Sequence, residues 1–408
     1  MKYIIVLGDG MAGRALGELG MRTTLEAAGT PVMDALSKVS ETGMASMVPE
    51  GMAPGSDTAN LSVLGYDPRL YYSGRSPLEA LSIGVDLKDT DVSFRCNLVT
   101  LSEEEGAYED RVILDHSADE ISSRDGAALL KALEEGLGKE ALDRAGYAFY
   151  PGTSYRHLLV QNHGTVTELT PPHDVLTRRI GPYLPTDPSL RRMMEKSYEI
   201  LSHHPLNEER RKQGLHPANS VWFWGAGTRP CLPSFEERTG KKGIMISAVD
   251  LLKGIAAGAG LACARVEGAN GGLHTNYEGK ARAAVQALTK DGYDFAYIHV
   301  EAPDEMGHQG SIRDKIQSIE WIDSRLLRPL ITGLKDAGED FRLLLLPDHP
   351  TPIEVRTHTG EPVPYLLYDS TREEQGESVY CEKTAAGTGR EWKEGYRLIG
   401  HLLQEELC

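Results

Sequence analysis

Three short apolar runs punctuate the chain: Tyr3–Leu7, Phe295–Val300 and Leu343–Leu346. Each is closed by Gly, Pro or an acidic residue, the pattern of strands covered on both faces in a parallel sheet. An acid follows each run: Asp9 two residues past the first, Asp304 a few past the second, Asp348 two past the third. Open α/β sheets bind ligands outside the carboxyl ends of their strands, so these acids are candidates for one shared site. Ile312, Ile316, Ile319, Ile322, Leu326 and Leu330 recur at helical spacing and predict a helix with one apolar stripe. Ala248–Ala257 also predicts a helix, between glycine breaks at Gly243 and Gly258–Gly260.

From about Asp86 to Pro217 the texture changes. The stretch is rich in Glu, Asp, Arg and His, with strand-like pieces (Phe94–Leu101, His157–Val160) and the helical piece Ala127–Leu137. The fold expected is α/β. A mostly parallel sheet between helices forms a core from residues 1–85 and 218–408, and a smaller α+β domain, residues 86–217, is inserted. The chain is expected to rejoin the main sheet near Val221–Trp224.

Composition narrows the function classes. Against 60 acidic side chains stand 43 basic ones, a net charge of −17, which gives no global attraction to nucleic acid or to an anionic membrane. A phosphate-bearing substrate would therefore need a local cluster of cations or metals. No apolar run approaches the ~20 residues of a bilayer span. The run before Asp9 is too short for a signal peptide, so the expected location is cytoplasmic. Cys96, Cys231, Cys263, Cys381 and Cys408 form no CxxC pair, which suggests neither a disulfide framework nor a thiolate zinc site.

Five small patterns carry candidate chemistry. Gly8-Asp9-Gly10 follows a strand directly and leaves its carboxylate open to a ligand, although such an Asp is commonly only a turn or cap residue. Pro54-Gly55-Ser56-Asp57-Thr58-Ala59-Asn60 suits a nucleophilic hydroxyl at a helix start, or equally an ordinary N-cap. Asp304-x-x-x-His308 puts carboxylate and imidazole on one helical face, although Gly307 between them weakens the helix. Asp348-His349 abuts a fully apolar strand, where unpaired charge is costly. His358 sits in a Pro-punctuated segment that by itself would read as surface. Together, three Asp, three His and one Ser suffice for two oxygen/nitrogen metal sites, favouring Mn²⁺ or Zn²⁺. Two such ions could clamp a phosphoryl group and sharpen the serine oxygen.

This ordered set resembles the alkaline phosphatase superfamily, and within it the archaeal-type branch of the cofactor-independent phosphoglycerate mutases. The longer strings that carry the likeness run from Pro54 to Pro68, from Gly74 to Ala80, and from Thr275 to Lys280. Some members of the branch are labelled proposed homoserine kinases. The resemblance implies an alkaline-phosphatase-like core and an inserted lid domain that excludes water from a phosphoserine. Ser56 would take the phosphate of phosphoglycerate and return it to the other hydroxyl of glycerate, with no 2,3-bisphosphoglycerate required. It implies one metal held by Asp9, Ser56, Asp348 and His349, and another by Asp304, His308 and His358. Mn or Zn would serve, with Mg or Co as further options.

The sequence also departs from the better-known bacterial enzymes, whose Ser-Glu-x-Gly-His string is here Ser56-Asp57-Thr58-Ala59-Asn60. Asp57-Thr58-Ala59 resembles the nucleophile string of alkaline phosphatase itself, which makes Thr58 the runner-up to Ser56. Arg75 lies in a matching string. Arg95, Arg156 and the Arg178–Arg179 pair are substrate candidates by residue type, since planar guanidinium suits carboxylate and phosphate. His173 is a candidate for a glycerate hydroxyl, and Lys280 joins the substrate set from its string. Phosphoryl transfer to homoserine, phosphomonoester hydrolysis and a non-catalytic binding role are the alternatives. The intact ligand set argues against the last of these.

Overall fold

The computed structural model describes residues 1–405; Cys408 lies outside them. The chain divides into two units, residues 1–72 with 231–408, and residues 73–230.

The first unit is built on an eight-stranded sheet. Its strands are β1 (Lys2–Gly8) and β2 (Glu41–Ala45), then, after the second unit, β8 (Gly243–Ile246), β9 (Ala262–Cys263), β10 (Phe295–Val300), β11 (Phe341–Leu346), β12 (Val363–Asp369) and β13 (Glu391–Trp392). Their order is β13-β2-β12-β11-β1-β10-β8-β9. From β11 to β9 every pairing is parallel, while β12 runs antiparallel to both neighbours. The strand β1 pairs with β10 on one side (Leu7 opposite His299) and with β11 on the other (Leu7 opposite Leu346). The three expected apolar strands are thus adjacent, and their carboxyl ends lie side by side at the ~4.8 Å strand spacing. Helices cover the faces. Ile4, Val6, Ala296, Ile298, Leu343 and Leu345 share one core with Ile319, Ile322, Leu326 and Leu330.

That last stripe is not carried by one regular helix. Ile312–Trp321 and Arg328–Asp336 are α-helical, and Ile322–Leu327 between them is a π segment. The wider turn brings Asp323 inward, where its carboxylate accepts from the backbone N–H groups of Val32 and Met33. The expected Ala248–Ala257 helix is observed at Asp250–Gly258.

The second unit holds an antiparallel sheet of β3 (Val92–Leu101), β4 (Ile113–Asp115), β5 (Tyr147–Tyr150), β6 (Arg156–Gln161) and β7 (Ser220–Thr228). The helices Ser123–Leu137 and Pro188–Leu201 pack on it through Leu129, Leu133, Leu190 and Met194. Here one expectation is corrected. Val221–Trp224 does not rejoin the main sheet; it lies within β7, which pairs with β3 from Ser220 opposite Val99 to Thr228 opposite Val92. Val221 to Trp224 are buried on both faces, so their apolar run reads the same whichever sheet they join.

Candidate active site

Asp9, Asp304 and Asp348 follow β1, β10 and β11, and the turns after these strands bring their carboxylates together. Gly10 has φ +58°, and a Cβ there would fall 2.4 Å from Thr351 Oγ1 and 2.6 Å from Asp304 Oδ1, so only glycine permits this approach. Asp304 opens the helix Ala302–Gln309 and His308 lies one turn on, its Nε2 3.1 Å from Asp304 Oδ2. Gly307, which weakens the helix by propensity, is needed by packing: a Cβ there would sit 2.7 Å from the Thr351 carbonyl oxygen. His358 Nε2 is 3.4 Å from Asp304 Oδ1 and 3.0 Å from His308 Nε2. His308 Nδ1 faces the Arg356 carbonyl at 2.9 Å, a bond that it must donate, which leaves Nε2 as the ligand atom of the neutral ring.

The inner part of the cluster is wholly buried. His349 Nε2 lies 3.5 Å from Asp9 Oδ1 and 3.4 Å from Asp348 Oδ2. Ser56, the first residue of the helix Ser56–Val63, places Oγ 3.1 Å from the same nitrogen. Asn60, one turn further, donates from Nδ2 to Asp348 Oδ2 and to the Ser56 carbonyl, both at 2.8 Å. Thr58 is buried about 200° round the helix from Ser56.

Within this cluster two groups of side chains have the spacing to hold a metal ion, Asp304-His308-His358 and Asp9-Asp304-His349, with Asp304 common to both. The electrostatics fit a cation. Burial, then the charges of Asp348, Asp304 and Glu301, push Asp9 well above the usual carboxylate range. Burial also acts on Asp304, but hydrogen bonds from His308 and His358 outweigh it and hold that carboxyl well below the usual range. His308 feels a downward pull from burial that its bond to Asp304 overcomes, so it is pushed up to about 9. Asp9 Oδ1 is buried with no hydrogen-bond partner among the described residues, an uncompensated acceptor aimed at imidazole. Divalent ions would relieve this charge, and carboxylate with imidazole is a donor set that suits them.

Sequence reasoning missed several residues that hold this cluster. His299, inside the apolar β10, has Nε2 2.9 Å from Asp9 Oδ2, and burial takes its pKa down to about 3. Tyr297, two residues earlier on the same face of β10, donates to Asn60 Oδ1. Thr351 donates to Asp304 Oδ1. Lys315 is buried in a helix, and its Nζ donates to the carbonyls of Ala12 (3.1 Å) and Thr351 (2.7 Å). The signal that could have found Tyr297 and His299 is their alternation with Ala296, Ile298 and Val300, which turns a polar face toward the Ser56 helix.

Lys280 is placed elsewhere than among substrate groups. It is fully buried, and its Nζ donates to the His299 carbonyl at 2.7 Å. Burial brings its pKa down to about 8.

In the second unit, Glu79 joins Arg75 (3.4 Å) and the buried Arg95 (2.9 Å). The Arg95 guanidinium lies 4.3 Å from the Trp224 ring centre, and His173 meets the same ring edge-on at 5.4 Å. His116 bridges His173 to Tyr155, over which Arg156 lies at 5.4 Å. Burial lowers the pKa of His173, and the neighbouring cations add to this. Arg75, Arg95, Arg156 and His173 thus share one basic, aromatic patch. Arg178 and Arg179 are engaged otherwise, with the Tyr183 hydroxyl (3.3 Å) and Asp110 (3.4 Å).

Fold and site define the class: an α/β protein with a carboxylate–imidazole centre at the carboxyl ends of three adjacent parallel strands. Residues 37–207 match the family model described as 2,3-bisphosphoglycerate-independent phosphoglycerate mutase. A curated relative of that name from Methanosarcina acetivorans is 46% identical over 394 residues, covering 95% of this chain and 96% of its own. One from Geobacter sulfurreducens, named as a probable such mutase, is 45% identical and covers 99% of this chain and 100% of its own. The chain belongs to the 2,3-bisphosphoglycerate-independent phosphoglycerate mutase family. Among solved structures, a Pyrococcus horikoshii protein is similar at TM-score 0.78 and 30% identity, covering 99% of this chain and 98% of its own. A cofactor-independent phosphoglycerate mutase from Thermoplasma acidophilum is similar at TM-score 0.61 and 28% identity, covering 99% of each chain. Among the described residues no helix is long and apolar enough to cross a membrane.

Proposed function

We propose that the chain interconverts 3-phosphoglycerate and 2-phosphoglycerate through a phosphoserine at Ser56, with two divalent ions and without 2,3-bisphosphoglycerate. The observation that carries this reading is Ser56 Oγ, 3.1 Å from His349 Nε2, beside a cluster of three carboxylates and three imidazoles whose inner members are buried. The mutase names of relatives that span nearly the whole chain support the same substrate.

Asp9, Ser56, Asp348 and His349 would hold one ion, and Asp304, His308 and His358 the other. When bound, such ions acidify a serine hydroxyl and neutralise charge on a phosphoryl group. The chain does the rest. At the start of the Ser56–Val63 helix the Thr58 N–H goes to Asp57 Oδ1 and the Ala59 N–H to the Gly55 carbonyl, so the N–H groups of Ser56 and Asp57 are those that would meet phosphoryl oxygens beside the nucleophile. The Ser56 Oγ–P bond forms as the bond from phosphorus to the donor oxygen breaks, and the serine proton passes to that oxygen. The return step transfers the phosphoryl group to the other hydroxyl of glycerate, whose proton restores serine. Arg75, Arg95 and Arg156 have the charge to bind the glycerate carboxylate, and His173, held neutral by burial, suits a hydroxyl.

The test is a rapid quench after mixing with 3-phosphoglycerate and Mn²⁺, followed by mass spectrometry. Phosphate is expected on Ser56, and Ser56→Ala should lose the label and roughly 10³-fold or more of turnover, as when one nucleophile is removed from a working set. Phosphate on Thr58 would overturn the nucleophile. Turnover of homoserine with ATP, and none of 3-phosphoglycerate, would overturn the substrate.

A further inference from the structure

The bond between His299 and Asp9 has a direction, and the atoms around it fix it. Ser247 Oγ accepts from the Val249 backbone N–H at 3.1 Å, which leaves the hydroxyl proton for its other neighbour, His299 Nδ1, at 3.2 Å. Nδ1 is therefore an acceptor, and the ring proton of the neutral imidazole sits on Nε2. From there it is donated to Asp9 Oδ2 at 2.9 Å. With Asp9 ionised, as a ligand of a cation must be, the opposite tautomer would leave the serine proton without a partner and set an imidazole lone pair against a carboxylate. The ring itself cannot drift. His299 is fully buried, its strand is in register with Leu7 of β1, and its carbonyl accepts from Lys280.

We propose that Ser247 and His299 form a positioning relay. By holding Oδ2, the relay fixes the plane of the Asp9 carboxylate and presents Oδ1 to a divalent ion. The orphaned state of Oδ1, 3.5 Å from His349 Nε2, is what such an arrangement leaves. Ser247 selects the tautomer; His299 delivers the proton. The inference rests on the two-ion reading above. His299 touches no substrate and is a positioning residue.

The experiment is a Mn²⁺ titration of the full chain, read by the electron paramagnetic resonance of free ion, with near-UV circular dichroism as the check on folding. Wild type is expected to bind two ions. His299→Leu should weaken one of them about 10- to 100-fold, the usual effect of removing a partner of a ligand, and leave the other unchanged. His299→Gln, whose amide can donate from nearly the Nε2 position, should recover most of that loss. Ser247→Ala should weaken the same ion by a smaller factor. A purely structural role would weaken both ions together and would not be rescued by glutamine. Folded His299→Leu with two wild-type affinities overturns the relay and leaves the two-ion reading standing. Wild type that binds no Mn²⁺ or Zn²⁺ overturns the two-ion reading, and the relay with it. Should His299→Leu fail to fold, an unchanged affinity in Ser247→Ala overturns the relay.

Discussion

The acidic cluster has two halves, and they are built differently. Asp9, Asp348 and His349 hang directly from the ends of central strands, and each is essentially sealed from solvent. His308 and His358 come from a helix and a loop, and their side chains keep 34% and 18% of their exposure. The inner half has a fixed carboxylate geometry, set by Gly10, His299 and Asn60. The outer half has a titrating imidazole near water. The lesson is that one carboxylate, Asp304, lies within ligand spacing of both a rigid and an adjustable group of side chains.

Substituting that shared residue should break the comparison most severely. Asp304→Asn is expected to weaken the ion of the outer half by more than about 100-fold, beyond what loss of an outer partner costs, and the inner ion by a smaller factor, because Asp304 also lies within ligand spacing of Asp9 and His349. His308→Ala should weaken one ion only, and a Mn²⁺ titration separates the two patterns. A His308→Ala variant that lost both ions would erase the distinction between the halves.

The next effect depends on pH. Because Asp304 pushes His308 up to about 9, an ion entering the outer half at neutral pH must displace a proton. Its apparent affinity should rise with pH by about tenfold per unit up to about 9 and then level off. Calorimetry in buffers of different ionisation enthalpy measures that proton directly. The sign for folding of the metal-free chain is opposite. The contribution of His308 is fully present below its ordinary value of 6.5 and is lost as pH rises through about 9.

The smallest effect lies furthest from solvent. Tyr297→Phe removes the donor to Asn60 Oδ1 and leaves that buried oxygen unpaired, a cost of about 1–3 kcal/mol in denaturant unfolding. Ion binding in the outer half should not change.

The strands that set this geometry were legible because their apolar runs have no other good reading, and the acids after them gain meaning from being strand-final. The residues that orient those acids were not legible. Tyr297 and His299 lie inside a run whose mean character is apolar; their alternation with Ala296, Ile298 and Val300 marks a polar face, but the strand alone does not report that the Ser56 helix packs against it. The string around Lys280 reads as substrate-binding because sequence gives its type and neighbours but not its burial under β10. Val221–Trp224 shows the same limit for pairing: four buried residues declare a strand without naming the sheet it joins. In the second unit Arg75 was marked by its string, whereas the stacking of Arg95 and His173 on Trp224 needed three dimensions.

The two buried lysines have a consequence for how the protein matures. Lys315 clasps the carbonyls of Ala12 and Thr351, and Lys280 that of His299, so the segments carrying the ligands are fastened by ammonium groups of the chain itself. Cohesion of the site thereby has a source apart from any ion, unlike small zinc domains in which the metal is the clasp. On the two-ion reading the polypeptide would finish folding first and be loaded afterwards, and one ion could replace another without unfolding the chain.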